Sequence, residues 1–440
     1  MNQYLSSAYI KEKWGHVGFQ KYFKNTGWMF GGRIFTLVIS FFIGVYIARY
    51  LGPSNYGLLS YVFSFVGLFS FIASLGIENI ANREIIKDHS KKDIIIGTSF
   101  YLKIFGSFIA VLITFIFAFL STKDLMLLGL IGMYSLTFIF SAFNIVETYF
   151  QSQALSKYPA LVATITVIIS LILKVLVVYL GYGIIWLTAI YVLESILVAV
   201  GLLFFFIRSG HNINDWVFDK KIAGTILKDS WPLMLSTIAW GIYMKIDQVM
   251  IKNILGNEQV GIYAVAAKLS EFWYFIPSTI CASVFPAIMN AKKMGGDMYE
   301  KRLSKLYSLI FYISLTIAIC TTLFASLVIL LLFGEQYISA ITTLKIYVWS
   351  GVGASITTVL TYYLVSENQT KITALATTIG AITNIALNFI LIPKFGINGA
   401  ALATLISYTF VSLSILFSHK GKSQFSIILK GIILPFNKNK

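Results

Sequence analysis

Long apolar runs alternate with short polar gaps along nearly the whole chain. Twelve such runs fall at 27–50, 55–76, 97–120, 125–150, 159–180, 184–207, 232–254, 259–282, 306–333, 341–365, 373–392 and 397–418. About 20 apolar residues rise roughly 30 Å as an α-helix, the depth of a bilayer's hydrocarbon core, so each run predicts a membrane-spanning helix. The gaps differ in size. Those at 51–54, 121–124 and 181–183 are only turns, whereas 208–231, near the middle, is the longest. The pattern predicts an all-α integral membrane protein. Residues 1–207 form an N-terminal six-helix bundle, 208–231 a linker, and 232–440 a C-terminal six-helix bundle with a tail.

Composition removes the soluble alternative. Hydrophobic residues make up 58% of the chain and charged residues 12%, about half the charged share of an ordinary soluble domain. The polar start, with Lys11, Lys13, Lys21 and Lys24, does not read as a cleaved signal peptide. Cys281 and Cys320 lie in or beside apolar runs and suggest neither a disulfide framework nor a metal site. The net charge of +16 raises the question of nucleic acid, but its distribution answers it. Of the lysines and arginines, 24 lie on the side of the predicted topology that holds both termini, and 4 lie opposite. By the positive-inside rule both termini are cytoplasmic. The basic excess follows topology, and no nucleic-acid partner is expected.

A repeat supports a cut at the central gap. Leu51-Gly52-Pro53-Ser54-Asn55-Tyr56-Gly57 follows the first run, and Leu255-Gly256-Asn257-Glu258-Gln259-Val260-Gly261 follows the seventh. Leu and both glycines recur at an offset of 204, as do Lys24/Lys228 and Val45/Val249. Six runs per half is an even number, so the halves share one orientation and form a parallel repeat.

Several stretches resemble one family in order and spacing. Arg49-Tyr50-Leu51-Gly52-Pro53-Ser54-Asn55-Tyr56-Gly57 resembles its first outer turn, and Leu75-Gly76-Ile77 with Asn82-Arg83-Glu84-Ile85 the end of its second span. Asp247-Gln248-Val249-Met250-Ile251, then Leu255-Gly256 and Val260-Gly261-Ile262-Tyr263, resembles the start of its second half. Phe395-Gly396-Ile397-Asn398-Gly399-Ala400-Ala401 resembles the entry to its last span. The chain is thereby similar to the polysaccharide flippase branch of the multidrug/oligosaccharidyl-lipid/polysaccharide exporter superfamily. The resemblance implies twelve helices in two bundles around a V-shaped central cavity, in a bacterial cytoplasmic (inner) membrane. It implies movement of an undecaprenyl-pyrophosphate-linked oligosaccharide to the outer leaflet for O-antigen, capsule or another surface polymer. Membrane lipids and the polysaccharide polymerase machinery are the accompanying partners. No cofactor is expected.

Charges inside the runs carry the candidate chemistry. Arg33, Lys103, Lys174, Lys245, Lys268 and Lys345 outnumber Glu147, Glu194, Asp247 and Glu271. A cation in hydrocarbon is costly and usually faces a protein-lined cavity. A surplus of them suits a pyrophosphate, held bidentately by arginine or as a point charge by lysine. Arg33, Lys103, Lys174, Lys245 and Lys268 are the substrate-binding candidates. Lys245 lies about 20 Å into its helix, beyond cytoplasmic headgroups. Arg33 and Lys103 are near enough to span ends that snorkelling competes, and Lys345 reads as an interfacial anchor. Asp247, Glu194 and Glu271 are candidates for coupling to H+ or Na+. Ion pairing within the protein competes for each, including Lys268 with Glu271 three residues on. Glu147 reads as a rim residue. Trp240, Tyr243 and Tyr274 are candidates for stacking on sugar rings. Pro277 should kink the eighth span, and Gly31-Gly32 serve either bending or close packing.

A cation-drug antiporter of similar architecture should be dominated by acidic residues, whereas lysines dominate here. A membrane-embedded glycan polymerase or ligase should carry catalytic groups on a sizeable outer loop. The outer loops are tiny, and His16, His89, His211 and His419 all fall in predicted cytoplasmic segments.

Overall fold

The computed structural model describes residues 17–292, 296–367, 369–418 and 421–433, all helix and short connections. Lys11, Lys13, His16, His419 and the tail lysines Lys438 and Lys440 fall outside them. The helices are α1 (Val17–Gly67), α2 (Ser70–Ser74), α3 (Ile77–Lys87), α4 (Lys92–Ser121), α5 (Leu125–Ser135), α6 (Thr137–Ser141), α7 (Asn144–Ser152), α8 (Lys157–Tyr179) and α9 (Ile184–Arg208). Then come α10 (Lys220–Leu255), α11 (Asn257–Glu271), α12 (Phe275–Lys292), α13 (Gly296–Leu332), α14 (Ala340–Tyr347), α15 (Ser350–Ser366), α16 (Thr370–Phe417) and α17 (Lys422–Ile433).

Among the described residues, nine helical stretches are long and apolar enough to cross a membrane. Two are far longer than one crossing needs: Gly27–Gly67 with 41 residues and Thr370–Phe417 with 48, about 60 and 70 Å of helix at 1.5 Å per residue. Each is interrupted at a glycine, Gly52 at φ 69° and Gly396 at φ 60°.

The chain forms two compact units. The first comprises residues up to Ile47 together with Phe69–Thr237, the second Ala48–Leu68 with Ile238–Lys440. α1 and α10 each contribute to both.

In the first unit the core gathers Ile77, Ala81 and Ile85 of α3, Ile96 of α4, Ile145, Val146 and Phe150 of α7, and Phe206 of α9. The segment after α9 is built into this core. Trp216 is buried, its ring 5.0 Å from that of Phe100 and 5.6 Å from that of Phe206. Asp219 N-caps α10 through Ile222 N at 2.8 Å, while its own N–H donates to Thr98 Oγ1 at 3.0 Å. His211 accepts from Lys92 Nζ at 3.2 Å on Nδ1 and meets Tyr149 OH at 2.7 Å on Nε2. Burial, and then the Lys92 charge, hold this imidazole below its ordinary pKa. Gly32 packs on Ala160 of α8, where an added Cβ would lie 2.9 Å from that methyl group. Close packing is therefore the use made of this glycine.

In the second unit the core joins α12, α13, α15, α16 and α17 through Cys281, Phe285, Leu303, Tyr307, Val359, Leu360, Val411 and Ile415. The span expected to kink at Pro277 divides instead into α11, a 3-10 turn at Phe272–Tyr274 and α12. Proline disfavours α-helix at the residue before it and gives Trp273 O no i+4 donor, so the break precedes Pro277.

The repeat has a physical counterpart within this unit. Gly52 and Gly256 both take positive φ, 69° and 91°, with ψ near 180°, a conformation open essentially only to glycine. An added Cβ on Gly57 would lie 1.8 Å from Asn257 O, and one on Gly261 2.0 Å from Pro53 O. At the offset of 204, Pro53 corresponds to Asn257 and Gly57 to Gly261. Each copy of the motif thus presses its glycine against the other copy's backbone, a reciprocal contact of pseudo-twofold kind.

Candidate functional site

Asp247 stands at the centre of a polar nest in the second unit. It lies on α10 and is 4% exposed. Its Oδ1 accepts from Asn388 Nδ2 at 2.6 Å, and its Oδ2 from Tyr263 OH at 2.6 Å and Thr404 Oγ1 at 2.7 Å. Asn388 also donates to Asn384 Oδ1 at 3.1 Å, and both asparagines are fully buried. Asn384 and Asn388 lie one turn apart on the first limb of α16, and Thr404 lies on the second limb, beyond the Gly396 break. The break brings one helix's two limbs to one carboxylate. Hydrogen bonds from three neutral donors, rather than a lysine, satisfy this buried carboxyl group. Asn388 Oδ1 and Asn384 Nδ2 are buried without partners. The set of carboxylate, amide and hydroxyl oxygens is the donor chemistry a hard monovalent or divalent cation takes. Among the described residues no group of three or more His, Cys, Asp or Glu is placed to hold a metal.

Glu271, at the end of α11, accepts from Tyr347 OH at 2.8 Å. The Tyr263 and Tyr347 rings meet edge to face at 5.8 Å, so two tyrosines link the two carboxylates. Lys245 is half-buried, and its charge acts on Glu271. An added Cβ on Gly67 would lie 3.7 Å from Lys245 Cγ. Lys268 is half-buried one turn before Glu271.

The aromatic candidates separate. Trp240 is 51% exposed. Tyr243 is packed in the core against Tyr408, ring centres 4.5 Å apart, which leaves little of its face for a sugar. Tyr274 is half-buried and hydrogen-bonds Ser350 at 3.1 Å.

The first unit pairs its buried cations. Lys174 on α8 donates to Glu194 on α9 at 2.7 Å and lies 3.5 Å from the centre of the Tyr191 ring, while Ser170 also donates to Glu194. Lys103 on α4, 1% exposed, donates to Glu78 on α3. This pair borders a cavity of about 380 Å³ also lined by Ser74, Ser141, Asn144 and Ser195. Glu147, half-buried, accepts from Gln151 at 3.0 Å and feels the charges of Lys103 and Arg33. Arg33 is exposed. The sequence candidates therefore fall into separate groups: Asp247, Glu271, Lys245 and Lys268 in the second unit, Lys103, Lys174, Glu194 and Arg33 in the first.

Glu78, Tyr263, Asn384, Asn388 and Thr404 escaped the sequence reading. A signal existed for the asparagines, two amides four apart in an apolar run. Glu78 follows the Leu75-Gly76 break, where both residues take positive φ, 52° and 64°, and this extra turn is not legible from hydropathy.

A family model described as polysaccharide biosynthesis protein matches residues 22–292, and a MatE model matches 232–390. The "Putative O-antigen transporter" of Shigella flexneri is 25% identical over 86% of this chain and 93% of its own. The "Probable low-salt glycan biosynthesis flippase Agl15" of Haloferax volcanii is 24% identical over 49% of each. Among solved structures, an inward closed lipid II flippase MurJ superposes with TM-score 0.73 at 19% identity, over 93% of both chains. An inward-facing multidrug resistance MATE family transporter of the MOP superfamily follows with TM-score 0.70 at 14% identity, over 90% of this chain and 96% of that one. These likenesses give the fold, a helical multi-span membrane architecture.

Proposed function

Since the chain belongs to the polysaccharide biosynthesis protein family, we propose that it moves undecaprenyl-pyrophosphate-linked oligosaccharide repeat units from the cytoplasmic to the outer leaflet, for O-antigen or another surface polysaccharide. The chain is of a transporter family and not an enzyme. The observation that carries the reading is the match to the Shigella O-antigen transporter over 93% of that protein's length. The basic interior supports it. In this reading Lys245 and Lys268 of the second unit meet the pyrophosphate, with Trp240 and Tyr274 of the same unit against the sugars. The polyprenyl tail stays in lipid. In this reading the chain crosses the inner membrane twelve times with both termini cytoplasmic, the stretches broken at Gly52 and Gly396 counting as two crossings each and α10 adding one to the nine apolar stretches, and it works by alternating exposure of its interior to the two faces.

Asp247 is the coupling residue in this reading. Its hydroxyl and amide surroundings suit Na+ or a proton, and inward movement of either returns the carrier for another cycle.

A cation-drug antiporter is the competing reading, favoured by the MatE match over 232–390. Proteoliposomes separate the two. With a fluorescent polyprenyl-pyrophosphate oligosaccharide in one leaflet, wild type should equilibrate the label. Lys245→Ala and Lys268→Ala should each slow it about tenfold, the loss expected for one charge-assisted contact to phosphate. Dye-cation transport without lipid movement, or full rates in both variants and their double mutant, would reject the proposal.

A further inference from the structure

The C-terminal helix α17 has an exposure pattern that the transport cycle does not use. Gln424, Ile427, Ile428 and Gly431 are buried, while Lys422, Ser423, Phe425, Ser426, Leu429 and Lys430 are exposed. The inner face is anchored. Tyr307 donates to Gln424 Oε1 at 3.2 Å in a buried contact, Tyr312 donates to Ile432 O at 2.8 Å, and Ile427 and Ile428 are 5% exposed in the second unit's core. An added Cβ on Gly431 would lie 2.6 Å from Ser304 O, so this end is pressed onto α13. The helix is held as part of the unit and is not a loose tail.

Its outer face is graded. At 100° per residue, Phe425 and Leu429 fall on one edge, and Ser426, Lys430 and Ser423 on the other, with Lys422 between them. Phe425 keeps 50% of its surface exposed and Leu429 38%. An apolar edge beside a lysine edge, on a helix too short to span, is the arrangement of a helix lying in the membrane surface plane. Exposed Lys301 and Lys305 sit on the turns of α13 around Ser304, which adds positive charge beside Lys430.

We propose that α17 and the start of α13 form a seat for anionic phospholipid headgroups, with Phe425 and Leu429 dipping among the acyl chains and Lys422, Lys430, Lys301 and Lys305 meeting the phosphates. The choice of occupant rests on charge complementarity and on the multi-span membrane fold, which already places α13 in a bilayer. A cationic or neutral headgroup would leave the lysines unmatched. The seat does not depend on what the protein transports.

The test uses the full chain in nanodiscs of phosphatidylcholine, with and without phosphatidylglycerol. Two readouts are taken: thermal midpoint, and the lipid retained by native mass spectrometry. Wild type should gain thermal stability from the anionic lipid and retain it above its bulk fraction. Lys422→Gln with Lys430→Gln should keep the midpoint seen in pure phosphatidylcholine and lose the gain, with retention weakened roughly fivefold per lysine, about 1 kcal/mol each. Lys123→Gln, an exposed lysine in the 121–124 turn, should behave as wild type. Phe425→Ser with Leu429→Ser should weaken both lipids alike. Inorganic phosphate should reproduce none of the gain. Equal retention and equal thermal gain in wild type and the Lys422/Lys430 double variant would overturn the seat, as would a face that takes up a soluble protein while remaining indifferent to lipid charge.

Discussion

Lys103 shows how much a single buried charge depends on its neighbour. It is 1% exposed and its ammonium reaches Glu78, whose side chain keeps 37% of its surface beside the cavity. Removing the carboxylate leaves a cation in a low-dielectric interior, which costs more than the pair itself contributed. Glu78→Gln should therefore destabilise the first unit by about 2 kcal/mol, below the fully buried range because Glu78 is partly hydrated. Adding Lys103→Met should recover most of that loss, and thermal melts of the two single variants and the double one check it. An additive double variant would mean the pair is not coupled. Lys103 itself was readable as a charge in an apolar run, but its partner was not. Glu78 comes close to it only because the chain turns at Leu75-Gly76 before α3 begins. The same limit applies at Asp247. A deep carboxylate is visible in sequence, whereas the asparagines and threonine that satisfy it arrive from residues 141 and 157 positions away.

Among the elements, the two Leu-Gly turns are the parts whose sequence said most. Both glycines of each motif have a structural use: Gly52 and Gly256 turn the chain, and Gly57 and Gly261 let the two following helices touch at their backbones. A methyl group placed under 2 Å from a backbone oxygen cannot be absorbed by a rotamer change, so the helices must part. Gly57→Ala should cost about 3 kcal/mol or more, near the upper end for overpacking. Because Gly57 and Gly261 share one contact, the double alanine variant should cost clearly less than the sum. Denaturation midpoints of the folded protein in detergent report both effects, and a cost under about 0.5 kcal/mol for Gly57→Ala would show the crossing to be looser than described. The long gap after α9 read differently in sequence. Its polarity marks a connection, yet Trp216, Asp219 and His211 dock it firmly onto α4, α7 and α9. Trp216 and Phe218, aromatics within a polar segment, were the hint.

For the whole molecule, the proposed transport makes transmembrane charge movement the energetic quantity to measure. In the proposed transport, a pyrophosphate leaving a negatively charged cytoplasm would gain about 2.3 kcal/mol per charge per 100 mV on crossing the full field. In the proposed cycle an inward Na+ or proton at Asp247 would gain from the same field. In proteoliposomes carrying a valinomycin-set potassium diffusion potential, inside-negative polarity should therefore speed outward lipid transfer, and reversing the polarity should slow it. Asp247→Asn keeps the hydrogen-bonding shape but removes the charge. It should reduce the dependence on an imposed Na+ or proton gradient while leaving the response to the potential carried by the substrate. Transfer that ignores voltage in both proteins would argue that no net charge moves.

Hydropathy, spacing and the side-to-side count of lysines were enough to establish a helical, multi-span membrane protein, since hydrocarbon admits few backbone solutions and the sequence must satisfy them locally. The 204-residue repeat was likewise written in the chain. Which charges neutralise one another was not, because an ion pair is a matter of a few ångströms between residues far apart in sequence. Folding decided that Lys103 and Lys174 meet carboxylates, that Asp247 is held by neutral donors, and that Tyr243 goes to the core while Trp240 stays exposed. Burial makes an unmatched polar group costly, and only the assembled helices determine which groups are matched.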